Sequence, residues 1–419
     1  MKVKNFIKTN AVPLMFLLIC IVGVYFSGTN IATIFADLVN RFDRNVILIL
    51  SLIIPVICGL GMNFAMVLGA MAGQLGLVAA YIWNVDALPG IIVASLVAIP
   101  LGVFLGYLAG QLLNRTKGNE MITGMVVGYF ANGVYQFIML FILGGIIKIQ
   151  TDILLPGGVG IKNTIDLSTR GMKYALGGMK LFGLDTRVNM FTALIFFGIQ
   201  FLVWFGGKYL IKKKLNKSEI ITVFVSVAMI ACGLILPKFK YFMMWKALVK
   251  VPIPTFELII LACMATNAFL RTKLGQDMRA VGNDAAVASS AGINVDKTRV
   301  IAMMISTAVA AFGMVLYYQS LGVCDTYYGH EQVGTYCVAA ILIGGASIKK
   351  ATVKQALIGT LLFHLLFNVS PLASQHIFSN SVVGGYFRMA LCYGVIAFSL
   401  ILHKQNSRKS IKKIQEGVK

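Results

Sequence analysis

Apolar runs of about 20 residues, the length a helix needs to cross a hydrocarbon layer, recur along almost the whole chain. The pattern predicts spanning helices over 11–28, 89–113, 121–147, 190–210, 219–236, 255–270, 300–318, 355–370 and 382–402. The stretch 46–83 is apolar throughout and about twice the length of one span, so it predicts a hairpin broken near Gly59–Gly61. A shorter run, 333–346, is interrupted by Gly344 and Gly345. Together these predict an all-α, polytopic membrane bundle of roughly 10–12 helices, forming a single transmembrane domain over 1–419.

One long polar interruption stands out against this pattern. Between Arg271 and Arg299 the chain reads RTKLGQDMRAVGNDAAVASSAGINVDKTR. Arg271, Lys273, Asp277 and Arg279 precede a patch of small residues from Ala285 to Gly292, and Asp296, Lys297 and Arg299 follow it. Asn283 or Asp284 is suited to cap a short helix over Ala285–Ala291, because its side-chain oxygen can accept from free backbone N–H groups. Gly292 is suited to the left-handed position that ends such a helix. A helix of small residues can enter a groove on a partner closely, with the flanking charges fixing its orientation. The alternative is an ordinary connecting loop.

Composition agrees with the pattern: 58% of residues are hydrophobic, 12% are charged, and the mean hydropathy is +0.83. The net charge of +22 does not point to nucleic acid, because of where the basic residues lie. They gather at the N-terminus (1–10), at Arg115 and Lys117, at Lys208 to Lys217, in the 271–299 interruption and in the tail 403–419. Counting spans alternately from a cytoplasmic N-terminus places each cluster on the cytoplasmic side, as the positive-inside rule requires. The tail is then a polybasic end that can rest on anionic membrane lipid. Lys238, Lys240, Lys246 and Lys250 fall outside in this scheme, beside Phe239, Tyr241, Phe242 and Trp245, and predict an interfacial amphipathic segment. The first apolar run continues to Phe26 without a small-x-small cleavage site, and reads as an uncleaved span with Lys2, Lys4 and Lys8 in the cytoplasm.

The seven cysteines (Cys20, Cys58, Cys232, Cys263, Cys324, Cys337 and Cys392) and four histidines are scattered, with no ligand spacing, so no metal site is expected. No G-x-x-x-x-G-K-[ST] phosphate loop occurs, so the chain is not its own nucleotide-driven motor. Ion-coupled carriers bury charged residues at mid-membrane to hold the coupling ion. Here Glu120, Glu219 and Glu257 sit at span ends, and Asp325 and Glu331 lie in a Gly/Tyr-rich connection. A transporter with neither motor nor ion site draws its energy from a partner.

At this point the sequence resembles a family. The run LGQDMRAVGNDAAVASSAGINVDKTRVIAMMIS, with AAFGMVL following, looks like the cytoplasmic signature of bacterial ATP-binding-cassette importer permeases of the ribose-permease-like group. That group includes transporters for simple sugars, nucleosides and branched-chain amino acids. Leu274, Gly275, Arg279, Ala280, Gly282, Ala285, Ala286, Gly292, Ile293 and Lys297 match the pattern position by position. The resemblance implies that Gly282, Asn283, Asp284, Ala285, Ala286, Ser289, Ser290, Gly292 and Ile293 contact a separate ATPase subunit. It implies further partners: a second permease, either another copy or a related chain, and an extracytoplasmic substrate-binding protein. It implies no cofactor of the chain's own, with ATP and Mg held by the ATPase subunits.

A second run, Asn119-Glu120-Met121-Ile122-Thr123 through Tyr129 to Asn132, is similar to a segment of nucleoside-type permeases. Physically it is a helix start, with Asn119 expected to cap and Glu120 favoured at the positive helix end. The stretch 59–73 lacks the Asp-Leu-Ser turn of the sugar permeases and continues instead into Gly73-Gln74, nearer the nucleoside branch. The spacing of Gly59, Ala65 and Gly69 recurs as Gly334, Ala340 and Gly344, an internal repeat.

Polar groups at lipid depth are costly unless they face a cavity or another helix. Asn63, Gln74, Tyr129, Asn132, Gln136, His364 and Asn368 are the candidates for a substrate pathway. Two readings stand for each: lining for a neutral polar solute, or interhelical hydrogen bonds that hold the bundle. The segment 150–189 is expected outside the membrane, either as a surface for a substrate-delivering protein or as a plain cap. The function expected is that of a permease moving a nucleoside or simple sugar by alternating access. An ion-coupled secondary transporter is the competing class, and no nucleophile–base constellation points to an enzyme.

Overall fold

The computed structural model describes residues 10–149, 151–181, 184–212 and 217–417. Lys2, Lys4 and Lys8 of the N-terminal stretch, Lys213 and Lys214 of the Lys208 to Lys217 cluster, and the last two residues of the tail lie outside the described residues.

The helices in chain order are α1 (Ala11–Phe26), α2 (Ile31–Leu50), α3 (Ile53–Ile57), α4 (Val67–Ile82), α5 (Ala87–Arg115), α6 (Glu120–Phe137), α7 (Met190–Lys212) and α8 (Lys217–Ile235). There follow α9 (Met243–Leu248), α10 (Ile253–Phe269), α11 (Lys273–Asn283), α12 (Ala285–Ser290), α13 (Val295–Leu321), α14 (Val333–Ile343), α15 (Val353–Phe378) and α16 (Ser381–Gly417). Among the described residues strands are confined to two-stranded pairs of two or three residues.

Among the described residues eight helices are long and apolar enough to cross a membrane. A ninth span arises if α10 and α11, bent by 71° about the break between them, count as one, and α1 and α14 are shorter apolar helices. These segments fall on the apolar runs of the sequence except at two places: the first limb of the expected 46–83 hairpin is the end of the charged helix α2 followed by the short α3, and α11 belongs to the polar interruption. The fold is an all-α, polytopic membrane bundle.

The chain forms two compact units, one of Met1–Gly28, Arg41–Leu176 and Ile259–Lys419, the other of Thr29–Asn40 and Gly177–Leu258. In the smaller unit α7 packs on α8, and strand 187–189 pairs with 250–252. Its lysine-rich stretch from Lys238 to Lys246 forms short helical turns, where the Trp245 ring lies tilted against Phe35 and Phe242.

The larger unit is centred on α4, α5 and α13. Their contact faces are stripped to glycine and alanine, which lets backbones approach where lipid supplies no hydrophobic drive for association. A Cβ placed on Gly73 would lie 2.7 Å from Met314 Cβ, and one on Gly110 would lie 2.9 Å from Val300 Cα. Around this trio α15 packs on α1, α14 and α16.

Both broken segments are built alike. After α3 the chain turns through Gly59 and Gly61, at φ +79° and +70°, before a short 3₁₀ turn (Phe64–Met66) opens α4. After α14 it turns through Gly345, at φ +87°, before α15. Left-handed backbone of this kind falls to glycine because a Cβ would clash there. The segment 151–176 folds over one end of the unit, burying Ile153, Ile161, Ile165, Leu167 and Met172. Strand 164–166 pairs with 323–325 within that cover.

Candidate functional site

The polar interruption folds as a series of capped helices rather than as a loop. Thr272 accepts from Gly275 N at the start of α11, and Asn294 accepts from Lys297 N at the start of α13. Between them Asp284 caps α12, accepting from Ala286 N at 2.8 Å and Val287 N at 3.1 Å. Gly292 follows at φ +83°, the left-handed position that ends the helix. Asn283 closes α11 and is not the cap.

Ala288 is the buried anchor of α12, while Ala285, Ala286, Val287, Ser289 and Ser290 are exposed. Val287 is 66% exposed, and on a helix otherwise made of small residues it is the one large apolar side chain presented outward. An Asp284→Ala chain is expected to lose about 1 kcal/mol of local helix stability. Faster amide hydrogen exchange over 285–290 than in the wild type would register it.

Gly282 holds this segment against the first helix break. Its Cα lies where a Cβ on Gly59 would fall, at 2.9 Å, and a Cβ on Gly282 would run into the Ile57 carbonyl oxygen. The end of α11 therefore meets the α3–α4 break backbone to backbone. Asn63 sits just beyond that break, buried, with its Nδ2 donating to Ser306 Oγ on α13 at 3.2 Å.

Beside this junction lies a cleft of about 920 Å³, lined among others by Gly59, Gly61, Asn119, Gly282, Asp284 and Lys349. Asn119 makes no side-chain cap to α6, contrary to expectation, because the backbone there is not in the extended conformation a cap requires. The first turn of α6 is held instead by Glu120, which pairs with Arg299 of α13 at 2.5 Å. Arg299, expected as an exposed flanking charge, is buried.

Toward the far end of α13 a second polar cluster forms, and it gathers three of the seven pathway candidates. Gln74 is fully buried; its Nε2 donates to the Asp325 carbonyl at 2.6 Å and to Tyr318 Oη at 2.9 Å. Its Oε1 faces His330 Nδ1 at 2.7 Å. The other ring nitrogen of His330 lies 2.9 Å from Asn132 Oδ1. Asn132 Nδ2 donates to Glu331, and Gln136 Nε2 reaches Asn132 at 3.4 Å. The Tyr135 ring packs edge-on to His330 with centroids 4.7 Å apart. Burial pushes the His330 pKa down to about 4, with Asp325 pulling it back up, so the ring is neutral at pH 7.

The other candidates stand apart. Tyr129 is 74% exposed on α6 and outside this cluster. His364 and Asn368 are buried on α15, with His364 Nδ1 lacking a hydrogen-bond partner among the described residues and its ring against Phe363 and Phe367. His330 escaped the sequence reading because four dispersed histidines form no spacing. Its one signal was its place in the polar run DTYYGHEQ, directly after an apolar helix.

Fold and site define a class: a multi-pass membrane protein of broken helices, with a capped small-residue helix joined through Gly282 to one break. Residues 179–400, more than half of the chain, match the family of branched-chain amino acid transport system permease components, and the chain belongs to that family. It is a multi-pass protein of the inner membrane.

The chain is similar to the xylose transport system permease protein XylH of Haemophilus influenzae, 25% identical over 161 residues, which are 38% of this chain and 40% of XylH. It is 27% identical over 119 residues to a tyrosine transport system permease protein of Clostridioides difficile, covering 28% of this chain and 39% of that one. The high-affinity branched-chain amino acid permease LivH of Salmonella typhimurium is 34% identical over 100 residues, 24% of this chain and 32% of LivH. The matches thus span at most 40% of these relatives' length. No solved structure matches this chain.

Proposed function

We propose that this chain is the permease subunit of an ATP-binding-cassette importer, moving a small polar solute by alternating access. Separate ATPase subunits bind ATP and Mg and hydrolyse the nucleotide. A second permease completes the pore, and an extracytoplasmic binding protein delivers the solute. The observation that carries this reading is the backbone packing of Gly282 on Gly59, which joins α12 to the break that opens α4. An outside subunit gripping α12 can thereby move the helix that bears Asn63 and Gln74.

For the cargo, a nucleoside or simple sugar fits first. Asn63, Gln74, Asn132, Gln136 and a neutral His330 offer hydrogen bonds without fixed charge, which suits an uncharged polar solute. Xylose in the name of one relative agrees with a sugar, while tyrosine and branched-chain amino acids in others widen the class. The exposed Tyr129 faces outward on α6, where the second permease would complete the lining.

Co-purification tests the docking. Ala286→Glu with Ser290→Arg puts bulky charge on the exposed face of α12 and is expected to abolish recovery of the ATPase with the permease. Unchanged recovery and uptake reject the docking role. Removing the Asn132 and His364 side chains is expected to cut uptake severalfold while leaving the ATPase attached. Normal uptake by both variants removes these residues from the pathway.

A further inference from the structure

The hydrogen-bond cluster around His330 is one proton short when its members carry their ordinary charges. The count starts from the backbone. The Asp325 carbonyl can only accept, so the Gln74 group 2.6 Å away from it is the amide NH₂. Gln74 Oε1 is then fixed toward His330, and Nδ1 of the ring must carry the hydrogen. A neutral imidazole has one N–H, which leaves Nε2 bare.

Nε2 faces Asn132 Oδ1 at 2.9 Å, an acceptor, while Asn132 Nδ2 donates to the Glu331 carboxylate at 2.9 Å. Acceptor meets acceptor unless Nε2 also carries a proton. Turning the Asn132 amide over repairs the contact to His330 but sets Oδ1 against Glu331, which then needs the proton itself or must swing away. Either orientation leaves the cluster lacking one hydrogen.

We propose that His330, Asn132 and Glu331 form a proton-binding site that latches α6 to the 323–332 connection. The proton comes from water at the exposed Glu331 and forms an N–H bond at Nε2. The imidazolium then donates to Gln74 and Asn132 together, and Glu331 balances its charge across the Asn132 amide. When the proton leaves, Asn132 turns its NH₂ to the ring and Glu331 lets go. Tyr135 of α6 packs on the ring and Asp325 of its own connection acts on it; Tyr318 of α13 reaches it through Gln74 of α4, and Glu331 through Asn132. Burial opposes the charge, which places proton uptake on the acid side of the ordinary imidazole range. The latch stands independently of the ATPase reading.

Nitrogen NMR of the ¹⁵N-histidine-labelled full chain in lipid nanodiscs tests it. The chain has four histidines, and His330→Gln identifies the signal of interest. At about pH 8 the ring is expected as the Nδ1–H tautomer, gaining its second proton on titration toward about pH 4. Glu331→Gln supplies a neutral amide that completes the cluster without the proton, and is expected to move uptake down by about one pH unit or more. Asn132→Leu is expected to do the same and serves if Glu331→Gln does not fold. An Nε2–H tautomer at the alkaline end, or a titration unmoved by either substitution, overturns the proposal.

Discussion

Gly282→Val is expected to reduce uptake at least about tenfold and to lower the stability of the purified chain by about 1–3 kcal/mol or more. The new side chain has nowhere to go. Its Cβ would meet the Ile57 carbonyl and approach Gly59 N at 3.0 Å, and both obstacles are backbone at a break already held in left-handed conformation. Either α11 lifts off the break, separating α12 from α4, or the break itself reshapes. Gly206→Ala is the control, since a Cβ there has open space around it, and it should leave uptake unchanged. Uptake assays and thermal melts of the three chains decide the matter. A Gly282→Val chain that transports normally would show that the Gly59 contact is dispensable.

The second large effect concerns the ion pair between Glu120 and Arg299, whose side chains are 16% and 8% exposed. Breaking a buried pair from one side leaves the other charge without a partner in a poor solvent for it. Glu120→Gln or Arg299→Met alone is therefore expected to cost about 3–5 kcal/mol, whereas the two together should recover much of the loss. The exposed pair Lys117 and Asp296, by contrast, should be worth at most about 1 kcal/mol. A double-mutant cycle read by thermal unfolding measures the coupling, and additive losses would contradict it. The pair also has mechanical meaning. Arg299 stands at the foot of α13, four residues after Val295, and Glu120 opens the helix that carries Asn132 twelve residues later, about 18 Å up the axis. In the proposed mechanism this pair is a charged strut from the foot of α13 toward the His330 cluster, besides the glycine contact toward α4.

How much of this could be read from the chain follows from which interactions are local. Helix existence and the break at Gly59–Gly61 follow from apolar run length and from glycine's backbone freedom, both visible in a window of residues. The cap of α12 is local too, although the choice of Asp284 over Asn283 depends on where α11 ends. The helix in the flanking part of the interruption is not visible in its sequence alone. Lys273–Asn283 is an amphipathic helix whose buried Gly275, Met278 and Val281 face a core that its own sequence does not name. The cap at Asn119 is absent because its backbone is not extended, and the partner that holds the first turn through Glu120, Arg299, lies 179 positions away.

The candidate site divides in the same manner. Gln74, Asn132 and Gln136 were legible as polar residues at lipid depth. Their meeting was not, since Gln74 and His330 are 256 positions apart and the histidine lies outside any helix. Tyr129 shares helical spacing with Asn132 yet points outward, because a three-residue step drifts around α6 toward the exposed face.

The energy source is the central claim, and reconstituted uptake addresses it directly. The permease is placed in proteoliposomes with its ATPase and binding protein, at equal pH on both sides and with ion gradients collapsed by ionophore. Uptake is expected to require ATP on the side bearing α12 and to disappear in the Ala286→Glu, Ser290→Arg chain. Uptake that persists without the ATPase and vanishes when the gradients are collapsed would contradict the account.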